Sequence, residues 1–129
     1  TRHELFKNKR GIVVLIPRKG SREGHYIAML PRKNHIEYFS SLGGSPQKEL
    51  EKLGEPLAIF EELLGKHYLT NTKPLQSGKY SIKSCACWIL CRLFLRKLKL
   101  REFQTLFNSS ITLQNSDDIA ALMCVLQFQ

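Results

Sequence analysis

The chain has 129 residues, 43% of them hydrophobic and 24% charged, which fits a single globular domain and excludes a disordered polypeptide. Its longest apolar run, residues 85–91, is far shorter than the ~20 residues a bilayer requires, and no signal-peptide pattern stands at the start, where the first residue is Thr1 rather than Met, as in a trimmed or processed chain. Twenty Lys and Arg against eleven Asp and Glu leave a formal charge of +9, a bias toward nucleic acid or acidic surfaces.

Residues 11–16 (GIVVLI) form a short run rich in β-branched side chains and predict a buried strand. A polar loop follows at 18–23. Residues 25–30 (HYIAML) are apolar on both alternating faces, the mark of a central strand. Turn chemistry at 31–34 (PRKN) and a second run at 35–39 (HIEYF) predict a hairpin. After the loop at 40–45, Ser45 is placed to cap a helix with Pro46 at its first position, running to about Leu53. A second amphipathic helix is expected from about Pro56 to Leu64, with Gly65 as its stop. Residues 67–70 read as another strand and 71–79 as a polar loop holding Pro74, Gln76 and Gly78.

The segment from Ser84 to about Leu98 is apolar almost all round through Cys91, so its first half should be a buried helix. Arg92, Arg96 and Lys99 then recur at helical spacing and are expected on a solvent-facing stripe. A short helix over 100–107 follows. Ser116, Asp117 and Asp118 suit the start of a last helix, with Ile119, Leu122, Met123 and Leu126 in one stripe. Strands first and helices later predict an α+β domain over 1–129, a small mainly antiparallel sheet packed on a buried Cys-bearing helix.

Cys85, Cys87 and Cys91 crowd into one apolar segment, and Cys124 stands alone. That is unlike a secreted disulfide framework and predicts reduced thiols in a reducing compartment. The pattern also lacks the second pair of a structural zinc site, so no metal is expected. With Ser84 as N-cap, Cys87 falls in the first turn of its helix, where partial positive charge favours a thiolate. His25, opening a central strand, could face that turn and complete a Cys–His pair. Each residue alone also fits ordinary core packing.

Three stretches, Gly24-His25-Tyr26-Ile27-Ala28-Met29, Glu37-Tyr38-Phe39-Ser40-Ser41-Leu42-Gly43 and Cys87-Trp88-Ile89-Leu90-Cys91-Arg92-Leu93-Phe94-Leu95, resemble the adenovirus protease (adenain) family. That family has relatives in DNA viruses and large DNA transposons, and more distant kin among SUMO-specific proteases. The resemblance covers residues 11–98, about two thirds of the chain. It implies a cysteine endopeptidase with Cys87 as nucleophile, His25 as general base, Gln76 as oxyanion donor and Ser40 where the family carries the acid that orients the histidine.

Three departures accompany it. Ser40 is not a carboxylate, Trp88 stands where the family has Gly and could crowd the oxyanion site, and Gln76 lies eleven residues before Cys87, a longer gap than the family's. Cys85, followed by the small Ala86, is a rival nucleophile. Two functions stay open at this point. One is a thiol endopeptidase that matures viral or transposon virion proteins. The other is a catalytically degenerate member acting as a nucleic-acid-associated or structural virion protein. Either would work in a virion or the host nucleus or cytoplasm, as a monomer with no membrane partner. No cofactor is required by the sequence. The resemblance implies DNA or a peptide as an activator. The charge of +9 and the stripe of Arg92, Arg96 and Lys99 predict contact with DNA phosphates without sequence preference.

Overall fold

A computed structural model describes residues 6–7, 10–17, 24–43, 45–53, 58–65, 67–71, 73–76, 82–108, 117 and 120–122. The elements run β1 (Ile12–Pro17), β2 (Gly24–Pro31), β3 (Ile36–Phe39), α1 (Pro46–Leu53), α2 (Ala58–Leu64), β4 (Tyr68–Thr70), α3 (Ile82–Phe94) and α4 (Leu100–Asn108). They form the α+β arrangement expected. The sheet has the order β1-β2-β3-β4, antiparallel except for the β3–β4 pair, which is parallel.

β2 is apolar on both faces because both faces are covered. Ala28 and Leu30 pack with Phe39, Trp88, Ile89, Phe103 and Phe107, the core shared with α3 and α4. Ile27 and Met29 turn the other way, to Ile16, Ile36, Tyr38 and Leu64. The ring of Trp88 makes edge contacts with Phe103 and Phe107, at 6.5 and 4.7 Å between centroids, and donates from Nε1 to Asp117 Oδ1 at 2.8 Å. No described helix is long and apolar enough to cross a membrane.

Local signals set most boundaries as predicted. Ser45 caps α1, its Oγ accepting the Lys48 N–H at 3.3 Å. Gly65 ends α2 in the left-handed region, at φ 73°. α3 departs from expectation at both ends. It begins at Ile82, before the expected Ser84 cap, and stops at Phe94 rather than near Leu98. At its end the chain tightens, with Arg96 N–H donating to Leu93 O at 3.3 Å, and the carbonyls of Leu93, Leu95 and Leu98 accept the guanidinium N–H groups of Arg96 and Arg92. Of the expected last helix, Ser116, Asp118, Ile119, Met123 and Leu126 lie outside the described residues, as do Gly78 and Cys124, and Leu122 is exposed.

Candidate active site

β3 stops pairing with β2 at the Ala28–Phe39 position. Two residues back along β2, no described strand pairs with Tyr26 on that side, and a sulfur takes the strand's place. Cys85 Sγ accepts the Tyr26 N–H at 3.3 Å and lies 3.1 Å from Tyr26 O. The same sulfur is 3.2 Å from His25 Nδ1. Because α3 starts at Ile82, Cys85 falls in its first turn, at the end carrying partial positive charge.

The thiol that meets His25 is thus Cys85, which corrects the expectation for Cys87. Two residues on, Cys87 is turned by about 200° around the helix. It is half-buried and packs against the core shared by α3 and α4. Cys85, Cys87 and Cys91 are free thiols. With Cys85 in this position the next residue is Ala86, and Trp88 is turned into the core, so no indole follows the thiol.

The other ring nitrogen, His25 Nε2, lies 2.8 Å from Ser40 Oγ. Ser40, which the resemblance puts where the family carries its acid, meets the ring although it is no acid. The acid comes from α1: Ser40 Oγ donates to Glu49 Oε1, which is itself 3.5 Å from His25 Nε2. Glu49 Oε2 accepts the Tyr38 hydroxyl at 2.6 Å. Burial and the Glu49 charge hold that phenol well above its ordinary pKa, so it stays a donor. Glu49 was not singled out from the sequence. The Ser45 cap fixes the start of α1, and a carboxylate four residues before Leu53, on the helix's apolar side, was the available signal.

Ser40 is pinned at its backbone as well. Its N–H donates to Asn71 Oδ1 at 3.0 Å, and Asn71 Nδ2 donates back to Ser40 O at 2.6 Å. Gln76 is held to the next residue. Its N–H donates to Ser41 O at 2.9 Å, and its side-chain oxygen accepts the Ser41 hydroxyl at 2.6 Å. Gly43, at φ 70°, makes the approach of that segment possible, because a Cβ there would stand 2.6 Å from Pro74 N.

His25 is buried, and burial alone would lower its pKa. Hydrogen bonds to Cys85 and Glu49, and the negative charge of both, outweigh this and push it up to about 9. In its charged form the ring donates from both nitrogens, one toward sulfur and one toward Ser40. The sulfur's surroundings serve two states. A thiol can donate to Tyr26 O, and a thiolate can accept from Tyr26 N–H and His25 Nδ1–H.

The basic stripe is not formed. Arg92 is wholly buried, bound in bidentate fashion to Glu37 by Nε and Nη2, each at 2.8 Å, with its guanidinium 5.0 Å from the centroid of the Phe103 ring. Arg96 is half-buried and Lys99 exposed, both beyond the end of α3. Burying a guanidinium beside a matching carboxylate removed Arg92 from any DNA-facing surface. No protein-family model matches the chain, and no curated protein matches it significantly.

Proposed function

We propose that the protein is a thiol endopeptidase using Cys85 as nucleophile and His25 as general acid and base, with Glu49, acting through Ser40, as the group that orients the ring. The observation that carries this reading is the His25 imidazole held between Cys85 Sγ and the Ser40–Glu49 pair. In the first step the thiolate attacks a peptide carbonyl carbon. A C–S bond forms, and the carbonyl electrons move onto oxygen, where the Gln76 NH2 is the candidate donor. The oxyanion collapses, the C–N bond breaks, and the leaving amine takes the Nδ1 proton of His25. Water, deprotonated by the now neutral ring, then hydrolyses the thioester. From the resemblance to adenovirus proteases we further propose virion or precursor proteins of a virus or large DNA transposon as the substrates.

Full burial of Cys85 favours a second reading, a non-catalytic descendant of such a peptidase that serves as a nucleic-acid-associated or structural virion protein. Digestion of a denatured protein mixture, with new N-termini read by mass spectrometry, separates the two. Under the peptidase reading, wild type produces new termini, Cys85→Ala loses at least about 10³ of the rate, and Cys87→Ala keeps most of it. Equal rates for wild type and Cys85→Ala would sink it.

A further inference from the structure

At the end of the sheet away from Cys85, the β2–β3 turn and the α3–α4 turn face each other across a cleft of about 310 Å³. Along β2 the step from His25 to Arg32 spans more than ~20 Å, so the cleft is separate from the thiol. Its rim is cationic: Lys33, Lys97 and Lys99 are exposed, and Arg32 is partly so. Its floor is apolar, with Leu69 on edge strand β4, 46% exposed, beside half-buried Leu98.

The two walls are tied together before anything binds. Arg32 Nη2 donates to Glu37 Oε1 on one wall at 3.3 Å and to Leu98 O on the other at 3.4 Å. Glu37, the acid in the lining, is already neutralised by buried Arg92, so the charge of Arg32 is surplus. Nearby Glu102 is held by the Lys99 N–H at 2.8 Å, as a helix cap.

We propose that this cleft docks an acidic–apolar polypeptide segment, in which large apolar side chains are flanked by Asp or Glu. Charge complementarity selects the acids, and the leucine floor selects the apolar residues. A nucleic-acid backbone would use the rim alone and leave Leu69 in contact with water. The proposal stands independently of the chemistry at Cys85, because its residues and its readout are separate from it.

Fluorescence anisotropy of the full chain tests it with two labelled peptides of equal charge, Glu-Glu-Leu-Glu-Leu-Glu-Glu and Glu-Glu-Ser-Glu-Ser-Glu-Glu, and a labelled DNA duplex. The leucine peptide should bind at least about tenfold tighter than the serine peptide. Joint reversal, Lys97→Glu with Lys99→Glu, should weaken it by about tenfold, since two exposed attractions become repulsions. Leu69→Ser should erase the difference between the peptides. All three substitutions fall at exposed positions, and an unchanged melting temperature checks that they leave the fold intact. Equal affinity for the two peptides, binding that ignores the charge reversal, or no binding at low salt would each overturn the proposal. So would DNA binding tighter than the leucine peptide's and lost on the same reversal, which would assign the cleft to nucleic acid.

Discussion

β3 anchors two buried carboxylate networks, one near each end, and they do different things. At one end Glu37 is locked by Arg92, which also holds the carbonyls of Leu95 and Leu98 and so fastens the end of α3 to the sheet. A guanidinium does not release its proton in a protein, so this pair can only brace. Past the other end, Ser40 and Glu49 hold an imidazole whose far nitrogen touches a thiol. Burial and pairing are alike in the two places. A partner that can exchange a proton makes the second a candidate for chemistry and leaves the first as scaffold.

The largest effect should come from breaking the brace. Arg92→Leu leaves Glu37 buried with only the longer Arg32 contact, and should cost about 3–5 kcal/mol in urea unfolding. The double change Arg92→Leu with Glu37→Leu should recover much of that, because no unpaired charge then remains. A single variant as stable as wild type would remove the distinction between the two networks.

The thiol end should show its nature through pH. The folded-state pKa of His25 is raised from 6.5 to about 9, so the protonated ring stabilises the fold fully below about pH 6.5, and this is lost as pH rises through about 9. At 1.36 kcal/mol per pKa unit the loss is about 3 kcal/mol. Urea unfolding at pH 6 and pH 10 should reveal it in wild type and not in His25→Ala. Equal pH slopes for the two proteins would mean the ring is not charged in the fold.

Glu49→Gln keeps the shape and removes the charge. It should lower kcat/KM by about 10², with a smaller loss of stability than Arg92→Leu causes. Stability falling with activity untouched would make this second network a brace like the first. Ser40→Asp should give the smallest effect and the most informative one. Beside Glu49 it crowds two carboxylates and should lower activity about tenfold, whereas in a Glu49→Gln background it should raise activity by supplying the missing charge. Additive losses would show that the acid acts elsewhere.

Much of the scaffold was legible in the sequence because its signals are local. Alternation in 25–30, turn residues at 31–34, the Ser45–Pro46 cap and Gly65 each act within a few residues of themselves. The pairing of His25 with Ser40 was also legible, through the ordered motif. The choice between Cys85 and Cys87 turned on where α3 begins, and a shift of two residues moves a side chain to the opposite face. Glu49 and Arg92 were missed for one reason: a charge in a sequence reads as solvent-facing until its partner is found. Here each partner comes from a different element, Ser40 for Glu49 and Glu37 for Arg92.

Alkylation of the folded protein with less than one equivalent of iodoacetamide at pH 7, mapped by peptide mass spectrometry, reads out which thiol is activated. If His25 and Glu49 activate the thiol at Cys85, that residue should be modified ahead of the more exposed Cys87, and Glu49→Gln should slow it selectively. Modification of Cys87 first, with Cys85 inert until the chain unfolds, would show that His25 and Glu49 do not activate Cys85.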